Sequence, residues 1–133
     1  MLGRPALPVF TDPRHQFGHD IEVRVGRWLT RRGWRVLAHR FQLGRHDIDL
    51  IVRQGRLVAF VEVKARRDGR CGAAVESVGL RKRAIIERLA WSWLVRFGAV
   101  GDQYRFDVAG VQGAAGRERV RLVEDAWRPG WSR

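Results

Sequence analysis

The chain has 133 residues and a net charge of +12, with 26 basic and 14 acidic side chains. This length suits one domain, and a hydrophobic content of 45% with six tryptophans favours a packed core and excludes a disordered chain. The single cysteine excludes an intrachain disulfide, and the lack of a secretory signal or of a ~20-residue apolar span predicts a cytoplasmic protein without membrane contact.

Proline content and hydrophobic periodicity divide the chain into an arm, one domain and a tail. Prolines crowded near the N-terminus predict an irregular arm over 1–17, followed by a single domain over 18–125 and a short tail over 126–133. Apolar residues at helical spacing predict a first helix over 18–32 and a second over 78–97.

Five strands are predicted around these helices. Alternating apolar residues place them at WRVLAHRF, DIDLIVR, RLVAFVEVK, QYRFDVAGV and RVRLVE. The second and third strands should meet in a hairpin that turns at Gln54-Gly55, and Ser77 is the expected N-cap of the second helix. The order of elements predicts an α/β fold in which helices flank a mixed central β-sheet.

The excess of basic side chains predicts a polyanionic partner, because each phosphate that a protein neutralises releases condensed counterions. Nucleic acid is the leading candidate, and a general bias toward arginine without any partner is the alternative. Only Lys64 and Lys82 are lysines among the 26 basic residues. They are candidates for positions that need a compact ammonium rather than a wide, permanently charged guanidinium.

Acidic residues interrupt the second predicted strand of this basic chain. Because side chains alternate between the two faces of a strand, Asp47, Asp49 and Ile51 are expected on one face. Ile48 is then expected on the opposite face. The simpler alternative is that these acids pair with nearby arginines on a solvated surface.

The third strand adds Glu62 and Lys64 to the same face. With the turn at 54–55, Asp47 should lie directly opposite Glu62, and Asp49 should lie diagonal to it. Like charges across a sheet repel one another, whereas Mg²⁺ takes carboxylate oxygens as ligands and binds substrate phosphate as well. With Lys64 next to a metal-bound water, the arrangement predicts hydrolysis of a phosphodiester.

Glu22 and Lys82 accompany this constellation with their roles open. Glu22 lies three residues before Val25, along the edge of the apolar stripe of the first helix. It is either a half-buried acid paired with arginine or a contributor to the metal site. Lys82 lies within one turn of Ile85 on the second helix, so it either faces the sheet or extends to solvent.

Asp49, followed by Glu62-Val63-Lys64 on the next strand, resembles the PD-(D/E)xK nuclease superfamily with its restriction-endonuclease-like fold. More closely, the chain resembles the YraN-type family of bacterial endonuclease-like proteins. The resemblance is carried, in order along the chain, by GHDIEVRVGRWLTRRGWRVL, DIDLIV, LVAFVEVKAR, SVGLRKR, YRFDVAGV and EDAW.

The resemblance implies a metal-dependent nuclease core that uses Mg²⁺ or Mn²⁺ and is similar to archaeal Holliday-junction resolvases. It implies that Asp49 and Glu62 bind the metal together with the backbone carbonyl of Val63. Lys64 corresponds to the catalytic lysine.

The same resemblance implies roles for residues outside the central motif. Glu22 corresponds to an auxiliary metal ligand, and Lys82 to a basic residue that contacts nucleic acid. The family usually has Gly-Glu where this chain has His46-Asp47, so the acid is kept as an auxiliary site residue and the glycine is lost.

Two functions of different classes follow for the 18–125 domain. The first is a Mg²⁺- or Mn²⁺-dependent DNA endonuclease, with branched, Holliday-junction-like DNA as the candidate substrate. In it, Arg66, Arg67 and Arg70 bind the phosphate backbone mostly without reading sequence. The second is a non-catalytic nucleic-acid-binding module on a nuclease-like fold, because a fold alone does not confer activity.

Other residue types give weaker indications. His15 and His19 are four residues apart, but no H-E-x-x-H motif accompanies them, so zinc is not expected. Cys71 has no partner histidine at a recognisable spacing and receives no catalytic role. Trp127 and Trp131 are candidates for an apolar interface in a homodimer, although core packing explains them equally well.

Overall fold

The computed structural model describes residues 13–65, 75–113 and 117–130. Its helices and strands are, in chain order, α1 (Pro13–Arg31), β1 (Arg35–Leu43), β2 (His46–Gln54), β3 (Leu57–Ala65), α2 (Leu80–Phe97), β4 (Gln103–Gln112) and β5 (Arg119–Trp127). The sheet has the order β1-β2-β3-β4-β5, with β3 and β4 parallel and the other neighbours antiparallel. The predicted α/β fold with a mixed central sheet flanked by helices is confirmed.

A helix covers each face of the sheet. α1 packs on one face, here named the α1 face, against Leu50, Val52, Ala59, Val61 and Ala109. α2 packs on the other, the α2 face, against Ile48, Ile51, Val58, Phe60, Phe106 and Val108. Because both faces of β3 are covered, its residues 58–62 are at most 4% exposed and form a nearly unbroken apolar run.

α1 is longer than the sequence pattern predicts. It begins at Pro13, so residues 13–17 of the predicted arm are helical; proline suits the first turn because no hydrogen bond is required of its nitrogen there. The helix ends shortly before Gly33, whose φ of +89° lets the backbone N–H of Trp34 return to the carbonyl of Leu29 at 3.1 Å.

α2 forms the crossover that the parallel strands β3 and β4 require. It begins at Leu80, and Gly79 is its N-cap without any side-chain hydrogen bond, so the predicted cap at Ser77 is wrong. Val78, which lies between Ser77 and Gly79 in the sequence, is fully buried. Within the described ranges, neither helix is both long and apolar enough to cross a membrane.

The β2–β3 hairpin turns one residue later than predicted. Gln54 pairs with Leu57, which places the turn at 55–56. Gly55 adopts a φ of +60° there, a conformation that glycine takes at little cost. The later turn slides the pairing but keeps the same side chains facing each way, so the hairpin still gathers its acids.

β2 does not alternate regularly between the two faces. Ile48 and Ile51 both belong to the cluster under α2, whereas strict alternation would separate them. Leu50 belongs to the cluster under α1, and Asp49 interacts with Glu22 of that helix. Two successive residues, Asp49 and Leu50, therefore face α1, and the prediction that Asp49 shares a face with Ile51 is wrong.

β1 switches faces at the matching position. Ala38 and Phe41 both pack against the cluster under α2, while the ring of His39 lies 4.9 Å from that of His19 on α1. Arg40 also faces α1, as its hydrogen bond to Glu22 shows, and its φ of +55° accounts for two successive side chains of β1 facing the same way. The sheet therefore presents extra side chains to α1 from two neighbouring strands.

β5 continues to Trp127, beyond the predicted strand and into the predicted tail. The fully buried carboxylate of Asp107 accepts the backbone N–H of Asp125 at 3.0 Å, where Asp125 has a φ of +51° and the strand register shifts. This shift brings the ring of Trp127 to 5.0 Å from that of Phe106 in the core. Core packing thus accounts for Trp127, whereas Trp131 lies outside the described residues.

Candidate active site at the fork between β2 and β3

β2 and β3 separate at the position of two acids. The last paired residues are Leu50 and Val61, and the same register continued by one residue places Asp49 across from Glu62. We call this opening the fork. The prediction that Asp47 faces Glu62 is wrong, because the hairpin turns one residue later than expected.

A surface cavity opens at the fork, and we call it the acid pocket. Its charged lining residues are Glu22, Arg40, Asp47, Asp49, Glu62 and Lys64. The structure therefore brings the five predicted charged residues of the hairpin and α1 into one cavity, and it adds Arg40. A cavity with this many carboxylates is an unusual feature on a chain of net charge +12.

Asp49 is fixed at the fork by the backbone of β3. Its Oδ2 accepts the N–H of Val63 at 2.8 Å, in place of a carbonyl from β2. Burial raises the pKa of Asp49 to about 9, and the charges of Glu62 and Glu22 add to that rise. Carboxylates this close to one another favour a bound cation, because a cation removes the repulsion between them.

Glu62 lies on the other side of the fork, buried to 4% exposure. Its Oε1 is 3.4 Å from Nζ of Lys64, while its Oε2 is buried with no hydrogen-bond partner among the described residues. Burial raises the pKa of Glu62, and the charges of Lys64 and Lys82 oppose that rise. Lys82, half-buried on α2, therefore acts electrostatically on the pocket.

The oxygen atoms at the fork fit a hard divalent cation. Asp49 and Glu62 supply carboxylate oxygens from adjacent strands, and the buried Oε2 of Glu62 needs a partner. No group of three or more acidic, histidine or cysteine side chains at metal-binding spacing occurs in 13–65, 75–113 or 117–130. An ion held here would take two carboxylates, the carbonyl of Val63 and water, which is the coordination that Mg²⁺ accepts.

Glu22 is engaged by a neighbouring arginine. Arg40 donates from Nη2 to Oε2 of Glu22 at 2.8 Å and from Nε to the same oxygen at 3.0 Å. His39 Nε2 lies 3.7 Å from that oxygen. Burial acts to raise the pKa of Glu22, but its interactions with His39 and Arg40 outweigh burial and lower the pKa, so the carboxylate stays ionised.

Sequence reasoning did not identify His39 and Arg40 as site residues. Both lie on β1, and both reach α1 only because the strand switches faces, which no alternation pattern shows. His19 carried a usable signal, because it lies three residues before Glu22 and therefore on the same side of the helix.

Several other residues considered in the sequence are either outside the described residues or exposed. Arg66, Arg67 and Arg70 lie outside the described residues, as does Cys71. His46 is exposed at the first residue of β2. The placement of the three arginines relative to the acid pocket therefore stays a prediction.

The fold and the fork together define the class of protein. A mixed five-stranded sheet between two helices, with acids and a lysine where two central strands part, is a restriction-endonuclease-like core. A model of the "Uncharacterised protein family UPF0102" matches residues 21–111. The chain belongs to this family, also known as the YraN family, and the resemblance drawn from its motifs is confirmed.

Bacterial relatives cover nearly the whole chain. The UPF0102 protein of Anaeromyxobacter dehalogenans is 33% identical over 123 residues, 90% of this chain and 92% of the relative. The UPF0102 protein of Symbiobacterium thermophilum is 38% identical over 111 residues, 83% and 94% of the two chains. The protein of Parvibaculum lavamentivorans is 41% identical over 116 residues, 86% and 84%.

Proposed function

We propose that this protein is a Mg²⁺- or Mn²⁺-dependent DNA endonuclease that hydrolyses phosphodiester bonds, with branched DNA among its substrates. The observation that carries the proposal is the convergence of Asp49, Glu62 and Lys64 on the acid pocket. A strongly basic chain gains nothing for nucleic-acid binding from a buried cluster of carboxylates, unless a cation lets phosphate approach them.

Each residue at the fork has a role in this proposal. Asp49, Glu62 and the carbonyl of Val63 would hold the cation, which would supply polarisation of the phosphorus centre and a lowered pKa of water. The N–H of Val63 fixes the Asp49 carboxylate at 2.8 Å, so that the acid is oriented before the ion arrives. Lys64, 3.4 Å from Glu62, donates hydrogen bonds to the attacking water or to a phosphate oxygen.

In this proposal, basic residues that follow β3 in the sequence bind the DNA backbone together with Lys82. Arg66 and Arg67 come directly after Ala65 in the sequence, and Arg70 comes three residues later. Ala65 lines the acid pocket, and the charge of Lys82 acts on Glu62 from α2. The contacts of these basic residues are with phosphates, so they position the duplex and carry little sequence preference. A cytoplasmic homodimer would bring two such pockets to the two strands of a junction.

The alternative is a nucleic-acid-binding module without catalysis. It is favoured by the ion pair that engages Glu22 and by the lack of a ready three-ligand metal cluster in the described ranges. A nuclease-like fold is compatible with either function.

An assay of purified protein on branched and linear DNA, with and without Mn²⁺, separates the two. We expect cleavage only with the metal, and we expect Glu62→Ala to abolish cleavage while largely sparing binding at low salt. Glu76→Ala removes an exposed acid instead and should cut like the wild type. Cleavage that survives in Glu62→Ala would refute the assigned site, and a wild-type protein that cuts no DNA would favour the binding module.

A further inference from the structure

Arg40 holds a backbone conformation that arginine rarely adopts. Its φ is +55°, and a long L side chain in that region is strained. The flanking pairs His39–Leu50 and Phe41–Ile48 place it across from Asp49. Strain of this kind persists where the surrounding structure fixes a side chain for binding or catalysis.

Glu22 provides that fixation. Glu22 is 5% exposed, and two nitrogen atoms of the Arg40 guanidinium donate to its carboxylate at 2.8 and 3.0 Å. A buried carboxylate that loses such a partner leaves an uncompensated charge in the protein, which is strongly unfavourable. Glu22 therefore pairs with Arg40, and it could bind a metal ion only by giving up this pair, which would be costly in free energy.

The guanidinium remains part of the acid pocket. The Arg40 side chain is 27% exposed and lines the cavity, and the charges of Asp47 and Asp49 act on it. The two basic side chains that line the pocket thus form ion pairs with different acids: Lys64 pairs with Glu62, and Arg40 pairs with Glu22.

We propose that Arg40 binds a phosphate group of the nucleic acid at the acid pocket, and that Glu22 is a positioning residue that holds Arg40 there. The inference rests on the proposed function in that the ligand is a phosphodiester. A planar guanidinium matches two phosphate oxygens at once, which an ammonium does not. The role of Glu22 as an auxiliary metal ligand, expected from the family resemblance, is replaced by this one.

Three variants of the full chain test the inference. Arg40→Asn removes the guanidinium and keeps the backbone, because asparagine tolerates a positive φ. Glu22→Gln removes the charge and keeps the shape of the side chain. The third variant combines both substitutions, so that a thermodynamic cycle measures whether the residues act together.

The first measurement is the affinity for Mn²⁺ alone, by calorimetry. We expect both single variants to raise the dissociation constant by at least tenfold less than Glu62→Gln does, because neither Arg40 nor Glu22 is a ligand and Glu62 is one. A loss of affinity in Glu22→Gln as large as that in Glu62→Gln would show that Glu22 coordinates the ion, and would overturn the inference.

The second measurement is the affinity for a four-way DNA junction and for a linear duplex in Ca²⁺, which takes the same oxygen ligands. We expect Arg40→Asn to weaken binding about tenfold, Glu22→Gln to weaken it about fivefold, and the double variant to match Arg40→Asn within about twofold. Unchanged binding in Arg40→Asn, or losses that multiply in the double variant, would refute the proposal.

Arg53→Asn is the matched control. Arg53 makes a two-bonded pair with Asp102, at 2.8 Å for both bonds, but lies outside the acid pocket. We expect less than about a twofold change in junction binding from its loss. Because binding in Ca²⁺ is measured without turnover, the role of Arg40 is decided even if the wild type cuts no DNA, an outcome that would refute only the proposed nuclease activity.

Discussion

The carboxylate of Asp49 accepts the backbone N–H of Val63 at 2.8 Å, where a strand partner would otherwise accept it. The backbone pairing of β2 with β3 ends at this hydrogen bond, and the fork begins there. The bond ties the orientation of one acid to the backbone whose carbonyl is the proposed third ligand, so the two cannot move independently.

Asp49→Asn should stabilise the protein in EDTA while removing its response to metal. The amide keeps an acceptor for the N–H of Val63, but it removes the ionisable group that is buried beside Glu62 and Glu22. We therefore expect the free energy of unfolding in EDTA to rise by about 1–2 kcal/mol. Thermal unfolding in EDTA and in Mn²⁺ measures both effects. A lower melting temperature in EDTA would show that the acids do not repel one another in the folded protein.

Lys64→Met should separate catalysis from metal binding. The thioether fills the space of the lysine stem without its charge, so Mn²⁺ should bind at least as tightly beside Glu62. Cleavage should fall by about 100-fold or more, because the donor to water or phosphate is lost. Calorimetry with Mn²⁺ and a cleavage time course measure the two quantities, and weaker Mn²⁺ binding would place Lys64 in a purely structural role.

Asp102→Asn should destabilise the protein in a pH-dependent way. Hydrogen bonds from Arg53 and from the backbone N–H of Ala99 lower the pKa of Asp102 to about 2. The unfolded pKa is about 3.9, so its stabilisation is complete above that value and is lost as the pH falls through about 2. Allowing for solvent screening, we expect a difference of about 1 kcal/mol at pH 7.

Urea unfolding of wild type and Asp102→Asn at pH 7, 4 and 2.5 tests this. The gap in free energy of unfolding should be largest at pH 7 and should narrow at the lowest pH. If the difference in free energy of unfolding is the same at all three pH values, the substitution acts by disturbing packing rather than by removing the charge of Asp102.

Asp107→Ala should destabilise the protein through the pairing of β4 with β5. It leaves the N–H of Asp125 and the guanidinium of Arg105 without their buried acceptor, at a cost of about 2–4 kcal/mol. Urea unfolding measures the loss. Glu124→Ala, a control that removes an exposed partner of the same arginine, should cost less than about 1 kcal/mol.

The hairpin shows how far alternation predicts the site. Asp49, Glu62 and Lys64 do meet in one cavity, as the sequence suggests, but not through regular alternation. The turn lies at 55–56 rather than at the predicted 54–55, and this shift places Asp49 instead of Asp47 across from Glu62. It does not change which side chains alternation assigns to each face, because the pairing slides by two residues. The acid on β2 reaches α1 through a break in alternation that the sequence does not reveal.

Glu22 marks the limit of sequence reasoning. Helical periodicity placed it correctly at the edge of the apolar stripe of α1, and left two partners open. Its contact, Arg40, is eighteen residues away and depends on a positive φ in a residue other than glycine. No local propensity encodes such a contact, because the conformation is imposed by the packed neighbours.

The irregular strands have a further consequence for how copies of the protein meet. β1 and β5 are the two rims of the sheet, and each contains a register shift and a residue with positive φ, at Arg40 and at Asp125. A bent rim is a poor template for another chain's backbone, so growth of the sheet by strand addition is discouraged at both ends. Self-association, where it occurs, should therefore use side-chain surfaces and leave the protein resistant to fibre formation.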